Sequence, residues 1–179
     1  MQAPLSNGQI ITVRTFQLQD RTALSCYLNQ LSDATKQRFA PHDFNEESIQ
    51  HLYQNPSSYI GFLALDKNEN IIAYAVVKIG PQSYEASRFV AYGLQPHPLT
   101  DAVLAPSVAD AWQGTGIGSA MMQVIKEQLL KFGIQRIFLW GGVQATNLQA
   151  IKFYEKHQFN QLGVFEYKGS NIDMVCCLT

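Results

Sequence analysis

Apolar residues recur along the chain with two spacings, one typical of helices and one typical of strands. In the helical spacing, apolar side chains return every three or four residues and therefore lie on one face. This spacing predicts helices over Gln19–Leu31, from Asp33 to a break at Pro41, over Glu46–Gln54, over Ile117–Leu129, and from Asn147 onward. Short apolar or alternating runs predict strands at Ile10–Thr15, Tyr59–Leu65, Ile71–Ile79, Ala102–Val108, Arg136–Trp140, Gly163–Lys168 and Ile172–Leu178.

The order of these elements indicates the fold class. Helices come early, strands follow in the middle, and strand–helix–strand units come late, which predicts a mixed α/β (α+β) sheet of six or seven strands. Residues 1–179 are expected to form a single domain, with Met1–Gly8 as a loose tail. The pattern assigns no element to Gly80–Pro98, where aromatic residues stand among glycine and proline.

Composition narrows the class of protein. A hydrophobic fraction of 46% with 15% charged residues is typical of one water-soluble domain with a sizeable core. The formal net charge of −1 gives no reason to expect nucleic acid or an anionic membrane as a partner. No apolar run approaches the roughly eighteen residues of a membrane span, and the first residues lack the basic and apolar pattern of a secretion signal.

Cys176 and Cys177 are expected to be buried thiols, and the alternative is a disulfide between these two neighbours. Cys176 and Cys177 are neighbours in the last predicted strand, where their side chains would point to opposite faces, and Cys26 lies in the first predicted helix. The Cys and His residues show no metal-ligand spacing, so no metal is expected. The expected compartment is a reducing cytoplasm.

The stretch that organises the chain is a strand, a turn rich in glycine and a helix. The strand stops at Ala109, and the turn that follows carries Gly114, Gly116 and Gly118 at every second position. Main-chain N–H groups at a helix N-terminus have no intrahelical partner, and the helix dipole there favours negative charge. Glycines permit positive φ and close approach of a ligand. The glycine turn, Gln113–Ser119, is therefore predicted to bind a phosphate or pyrophosphate.

Two well-known phosphate motifs fit this turn poorly. The dinucleotide fingerprint Gly-x-Gly-x-x-Gly is not met, because the third glycine arrives one residue early. A P-loop requires lysine before its serine or threonine, whereas Ser119 directly follows Gly118. A turn that only connects a strand to a helix is the remaining structural interpretation.

The residues Gln113–Gly118 match a third pattern, Gln/Arg-x-x-Gly-x-Gly/Ala. At this point the chain resembles the GNAT superfamily of N-acetyltransferases, whose loop for the pyrophosphate of coenzyme A carries that pattern. Downstream, Asn147 caps a predicted helix and Tyr154 follows two helical turns later, on nearly the same face. Asn-x-x-Ala-x-x-x-Tyr followed by Phe159 looks like the second half of the family signature.

The resemblance covers about Ile10–Leu178 and implies a fold and an activity. The fold is a central, mostly antiparallel sheet whose fourth and fifth strands splay apart where the cofactor enters. The activity is transfer of an acetyl group from acetyl-CoA directly to an acceptor amine, through a tetrahedral intermediate. The cofactor-binding residues implied are Ser107, Val108, Gln113, Gly114, Thr115, Gly116, Ile117, Gly118, Ser119 and Asn147, and the catalytic residue implied is Tyr154.

The resemblance also gives these residues roles. The glycine turn would donate N–H bonds to the pyrophosphate, and the main chain of Ser107 and Val108 would contact the pantetheine arm and polarise the thioester carbonyl. Asn147 would contact the pantetheine or its phosphate side. Tyr154 would face the sulfur and give the departing thiolate a proton or a hydrogen bond. The structural alternative for Tyr154 is an aromatic ring packed beside Phe153.

No general base is assigned. Some family members carry a glutamate on the fifth strand, but the corresponding position here is Gly142. The remaining candidates, each expected to be a solvated loop residue, are Glu85, Asp101, Asp110, His42 and His97.

The expected acceptor is an amine of a small molecule or of a peptide or protein. In the resembled family the acceptor site is shaped by the first two helices and by the segment between the third and fourth strands. A second hypothesis is a non-catalytic acyl-CoA sensor or interaction module that keeps the turn, and a third is a nucleotide-binding regulator. Sheet edges near the C-terminal strands would suit a homodimer.

Overall fold

The computed structural model describes residues 1–5, 8–39, 41–54 and 58–178. These residues divide into two compact units. The first unit comprises Met1–Val77 and Ala105–Ile125, and the second comprises Lys78–Leu104 and Lys126–Thr179. In chain order the elements are β1 (Gln2–Pro4), β2 (Ile10–Thr15), α1 (Arg21–Gln30), α2 (Asp33–Arg38), α3 (Glu46–Tyr53), β3 (Tyr59–Leu65), β4 (Ile71–Ile79), α4 (Ser83–Ala91), β5 (Asp101–Val108), α5 (Ile117–Lys131), β6 (Arg136–Leu139), β7 (Val143–Gln144), α6 (Leu148–Lys156), β8 (Asn160–Glu166) and β9 (Ser170–Cys177).

The first unit is built on antiparallel strands. Strand β2 pairs with β1 on one side and with β3 on the other, and β3 pairs with β4. Residues Phe62–Leu65 of β3 and Ile72–Val77 of β4 are buried without alternation. Strands that are apolar on both faces are covered on both faces, which places them at the centre of this core.

Side-chain caps define where two helices of the first unit begin. Ser32 precedes α2, and its hydroxyl accepts a hydrogen bond from the Thr35 N–H at 3.3 Å. Asn45 precedes α3, and its side-chain oxygen accepts from the Ser48 N–H at 2.8 Å. Each cap satisfies a donor that the first helical turn leaves without a partner.

Gly61 of β3 leaves room for an aromatic side chain. The Tyr53 ring stacks on Phe16 with ring centroids 4.4 Å apart. A Cβ atom at Gly61 would lie 2.6 Å from both the Phe16 Cβ and the Tyr53 hydroxyl. Any larger side chain at Gly61 must therefore displace this pair.

Gly61→Ala is expected to lower the free energy of unfolding by about 1 kcal/mol, a fall in Tm of roughly 2–4 °C for a chain of this length. Thermal unfolding followed by circular dichroism measures it. Tyr53→Phe removes the crowded hydroxyl, so the double variant should lose less than the two single variants together. If the losses of unfolding free energy in the two single variants simply add in the double variant, the added methyl group does not clash with Tyr53.

The second unit surrounds β9. Strand β9 pairs antiparallel with β6, β7 and β8. Residues Asp101–Leu104 of β5 pair in parallel with Arg136–Leu139, that is, with β6. Helix α4 packs on these strands, and its Phe89 stacks on Phe138 of β6 with ring centroids 4.2 Å apart.

Two buried carboxylates in the second unit have arginine partners. Asp173 is 0% exposed and receives two hydrogen bonds from Arg88, at 2.8 and 3.0 Å, and one from Tyr92 at 3.1 Å. Asp101 is 1% exposed and receives two bonds from Arg136, at 2.8 and 2.7 Å. Buried charges persist only when paired and hydrogen-bonded, so these pairs fix α4 and the start of β5 in the second unit.

The structure confirms the mixed α/β class with a mostly antiparallel sheet. The splay between the fourth and fifth strands and the single domain remain predictions. The expected loose tail is wrong for Gln2–Pro4, which form β1; Ser6 and Asn7 of that tail lie outside the described residues. The described residues form nine strands instead of six or seven, because β1 and the two-residue β7 add to the count. The unassigned segment Gly80–Pro98 contains α4.

The cysteines partly differ from the expectation. All three are free thiols, and Cys176 is buried as predicted. Cys177 is exposed, so the prediction of a buried thiol is wrong there, and Cys26, in α1, is exposed as well. Cys177 is the last residue of β9 and follows six consecutive buried residues, so it is exposed at the end of the strand.

Candidate functional site

The predicted strand, turn and helix are all present, and the turn itself lies in the first unit. Strand β5 ends at Val108, a short 3-10 turn covers Asp110–Trp112, and α5 begins at Ile117. Between them, Gly114 has φ +77° and Gly116 has φ +96°. Other residues rarely adopt such values, so these two glycines are required by the backbone of the turn.

The turn places main-chain donors at the start of α5. The N–H of Ala120 donates to the Gly116 carbonyl at 3.1 Å, which marks the first α-helical bond of α5. The N–H groups of Ile117 and Gly118 precede that bond, so no earlier helical turn supplies their acceptors. These donors and the dipole of a 15-residue helix favour an anion at this end.

Side chains brace the turn from within the first unit. Thr115 donates through Oγ1 to the Trp112 carbonyl at 2.7 Å. The side-chain amide of Gln113 donates to the Val108 carbonyl at 3.2 Å and to Thr35 Oγ1 at 3.3 Å. The side chain of Gln113 is therefore directed at the protein, and the ligand-facing groups of the turn are those of the main chain.

Ser107 belongs to a buried hydrogen-bond chain. It is 5% exposed, and its hydroxyl donates to the Tyr74 carbonyl at 3.3 Å. Because that donation uses its only proton, the Tyr27 hydroxyl donates to Ser107 Oγ, at 3.1 Å. The side chain of Ser107 is thus committed to the core, and only its main chain can serve the role that the resemblance implies.

The second unit holds Asn147 and Tyr154 on α6. Asn147 is the N-cap, and its Oδ1 accepts from the Ala150 N–H at 3.2 Å. Tyr154 is 9% exposed and packs edge-on against Phe153 and Phe159. In the described part of the chain, the Tyr154 hydroxyl makes no hydrogen bond, and burial raises the pKa of this phenol above its usual value. Tyr154 is therefore a protonated hydroxyl at neutral pH.

The structure brings the predicted cofactor residues together in two groups. Ser107, Val108 and the glycine turn form one continuous segment of the first unit. Asn147 and Tyr154 form the second group, on one helix of the second unit.

Two candidate bases in the first unit are engaged by neighbouring groups. The Asp110 carboxylate accepts from the Ser32 N–H at 2.8 Å, from the Ser32 hydroxyl at 2.7 Å and from the Thr35 hydroxyl at 2.7 Å. These donors lower the pKa of Asp110 to about 2. His42 binds the Asp43 carbonyl through Nδ1 at 2.7 Å and the Tyr74 hydroxyl through Nε2 at 3.0 Å. Both are thus held as structural groups.

The three candidates in the second unit are engaged as well. Glu85 is 0% exposed and accepts from the N–H groups of Gln82 and Gly141, and burial raises the pKa of its carboxyl. Asp101 is paired with Arg136, and His97 Nδ1 accepts from two N–H groups of the following turn. The expectation of solvated loop residues is wrong for Glu85 and Asp101, which are buried.

Sequence reasoning missed the residues that hold the glycine turn to α2. Ser32 was available as a local signal, because serine before a helical run predicts an N-cap. Its partner Asp110 lies 78 residues further along the chain, and no spacing rule connects the two.

A family model, described as the acetyltransferase (GNAT) family, matches residues 26–159, which is more than half of the chain. The chain belongs to the GNAT family. The glycine turn of this GNAT chain and its Asn147–Tyr154 helix both fall within the matched residues. No curated protein matches its sequence.

Solved structures resemble this GNAT chain over nearly its whole length. The GNAT domain of S. lividans PAT is 22% identical, with 99% of this chain and 96% of that chain covered and a TM-score of 0.79. A GNAT-family acetyltransferase from Streptococcus pneumoniae is 19% identical, with 94% and 99% covered and a TM-score of 0.72. Aminoglycoside acetyltransferase AAC(6')-Ib, in complex with coenzyme A and kanamycin, is 22% identical, with 93% and 94% covered and a TM-score of 0.68. Likeness at these identities shows the shared fold.

The described residues contain neither a candidate membrane-spanning helix nor a candidate metal-binding cluster. None of their helices has both the length and the apolar character that a membrane crossing requires. No three or more of their His, Cys, Asp and Glu side chains are grouped so that they could hold a metal ion.

Proposed function

We propose that this chain is an acyl-CoA-dependent N-acyltransferase that moves an acetyl group from acetyl-CoA to a primary amine. One observation carries the proposal: glycines at positive φ present the first-turn N–H groups of α5 at the end of a strand. In a family defined by acetyltransferases, this arrangement suits a diphosphate. Membership of the GNAT family is the reason to propose acetyl transfer. The glycine turn is the reason to expect coenzyme A as the carrier of the acetyl group.

The residues present fit coenzyme A. A Cβ atom built on Gly114 meets nothing within 4 Å, so the turn is open where a ligand would approach. The main chain of Gln113–Ser119 would bind the diphosphate, and the main chain of Ser107 and Val108 would bind the pantetheine arm. Asn147 would contact the pantetheine or its phosphate side through the amide group that its cap leaves available.

The reaction would form a C–N bond and break a C–S bond, while one proton leaves the amine and one proton reaches the departing thiolate. The neutral amine nitrogen attacks the thioester carbonyl, a tetrahedral intermediate forms, and the C–S bond then breaks. Tyr154 donates a hydrogen bond or its proton to the departing thiolate, and the proton released by the amine balances the exchange. With a pKa of about 10 for an ordinary tyrosine and about 8.5 for a thiol, full transfer of the proton costs about 2 kcal/mol. Burial raises the pKa of Tyr154 and increases that cost, so we infer a hydrogen bond to the sulfur as its main contribution.

The acceptor is proposed to be an amine of low pKa. Deprotonating a lysine-like amine at pH 7 costs about 4–5 kcal/mol. Deprotonating an α-amine, whose pKa is about 8, costs about 1 kcal/mol. All five candidate bases make hydrogen bonds within the protein, which favours an acceptor that needs no dedicated base. Among similar structures, one is a ribosomal-protein-S18-alanine N-acetyltransferase from Escherichia coli and another contains kanamycin. Both a protein amine and a small-molecule amine therefore belong in the panel of acceptors.

Calorimetry with acetyl-CoA and free CoA, followed by thiol release across a panel of amines, tests the proposal. We expect micromolar binding and turnover with at least one α-amine or small-molecule amine. Binding without turnover for any acceptor, unchanged by Tyr154→Phe, would support the non-catalytic sensor instead. Displacement of CoA by ATP or NAD would support the nucleotide-binding regulator. A folded chain that binds neither form of CoA would exclude the proposed function.

A further inference from the structure

Helix α2 cannot be held in place by its own packing. It has six residues, Asp33–Arg38, and none of them is buried. Helices this short are unstable in isolation, because the cost of nucleation exceeds the gain from their few hydrogen bonds. The contacts at the ends of α2 must therefore supply its stability.

The N-terminal end of α2 is bound by the segment that leads into the glycine turn. The Asp110 carboxylate receives three hydrogen bonds, from the Ser32 N–H and from the hydroxyls of Ser32 and Thr35, at 2.7–2.8 Å. Bonds to an ionised carboxylate are about twice as strong as bonds between neutral groups. Asp110 therefore acts as a second cap, added to the cap that Ser32 provides.

Gln113 extends this contact into the turn itself. Its side-chain amide joins Thr35 to the Val108 carbonyl, and its N–H donates to the Asp110 carbonyl at 3.3 Å. We call the four residues Ser32, Thr35, Asp110 and Gln113 the α2 clamp. The clamp is continuous with Gly114, the first glycine of the turn.

We propose that Asp110 is a positioning residue: through the α2 clamp, folding of α2 and binding of a diphosphate at the glycine turn favour each other. The proposal rests on the proposed function, since it presumes that coenzyme A binds this turn. When the turn is fixed by a ligand, Asp110 is fixed with it and α2 loses less entropy on folding. By linkage, a formed α2 must improve the affinity of the turn by the same factor.

The negative charge of Asp110 gives the α2 clamp a second way to favour binding of a diphosphate at the glycine turn. Asp110 is an exposed anion four residues before Gly114. While the donors of α2 hold its oxygens, the carboxylate stays ionised but is directed at the helix. Without those donors the same charge is free to turn toward an approaching phosphate and repel it.

The test changes α2 and leaves the turn intact. In the Ser32→Ala/Thr35→Val variant, which removes both hydroxyl donors, calorimetry should show CoA binding about fivefold weaker than in wild type, the lower end of typical coupling. The exchange of the two hydroxyls, Ser32→Thr/Thr35→Ser, should restore affinity to within twofold. Thr22→Val is the matched control, because it removes a hydroxyl bond to Glu46 between α1 and α3 and touches no residue of the clamp. Its CoA affinity should equal that of wild type.

Hydrogen exchange reports the reverse direction of the coupling. In wild type, CoA should slow exchange of the amides of residues 35–38, and in Asp110→Ala this protection should be lost. Equal CoA affinity in wild type and in Ser32→Ala/Thr35→Val would overturn the proposal. If wild type itself fails to bind CoA, the proposed function fails first; if wild type binds and the clamp variants bind equally well, only the clamp inference fails.

Discussion

Replacing Tyr154 by phenylalanine is expected to lower kcat for acetyl transfer by about 10²–10³-fold. A hydrogen-bond donor aimed at charge that develops in the transition state contributes about 10²–10³-fold to kcat, and the phenylalanine ring keeps the edge-on contacts with Phe153 and Phe159. The affinity for CoA and the Tm should change little, because the hydroxyl makes no hydrogen bond in the described part of the chain. Steady-state rates of thiol release, with a saturating acceptor, measure the effect.

Tyr167→Phe is the control for the Tyr154 variant. Tyr167 is 66% exposed, so loss of its hydroxyl should leave kcat within twofold of wild type. A Tyr154→Phe enzyme that also stays within twofold would show that Tyr154 is a packing aromatic. A variant that loses CoA affinity and kcat together would point to a distorted α6 instead of a lost hydrogen bond to the sulfur.

Gly114→Ala is expected to weaken CoA binding by about 10–30-fold. The new Cβ has open space, so the effect comes from the backbone: at φ +77° an alanine is strained by about 1–2 kcal/mol, and the turn relaxes to relieve it. Relaxation moves the N–H groups away from the diphosphate, and every 1.4 kcal/mol of lost binding energy is a tenfold change in Kd. Titration calorimetry with CoA gives the value directly.

Gly133 offers a matched control for this experiment. It follows α5 with φ +78°, and a Cβ built there also meets nothing within 4 Å. Gly133→Ala should therefore lower stability by a similar amount while CoA binds as tightly as to wild type. If both variants bind CoA like wild type, the glycine turn is only a connection between a strand and a helix.

The turn and its helix could be predicted because their signals are local. Glycines at every second position, a strand that stops at Ala109 and a helical apolar face all lie within about thirty residues. Asn147 could be assigned as a cap for the same reason. In each case the residue type and the conformation it favours are adjacent in sequence, so no knowledge of tertiary contacts is needed.

The elements that sequence reasoning missed depend on distant partners. Helix α4 turns a carboxylate, Glu85, toward the interior one turn before Phe89, which interrupts the apolar face that would have revealed it. That buried carboxylate is tolerated because it accepts a hydrogen bond from the N–H of Gly141, which lies 56 residues further along the chain. Strand β1 is three residues long and contains a proline, and only its pairing with β2 makes it a strand. The engagement of Asp110 by Ser32 likewise exists only in the folded chain.

The ionisation of Asp110 determines the pH range over which its hydrogen bonds stabilise the start of α2. Since its folded pKa is near 2, below the usual carboxyl value, its contribution to stability is complete above about pH 4 and declines only as acid carries the solution toward pH 2. Ordinary metabolic acidification therefore leaves these hydrogen bonds untouched. We therefore expect the stability of α2 to respond to a ligand bound at the glycine turn and to be nearly independent of pH near neutrality.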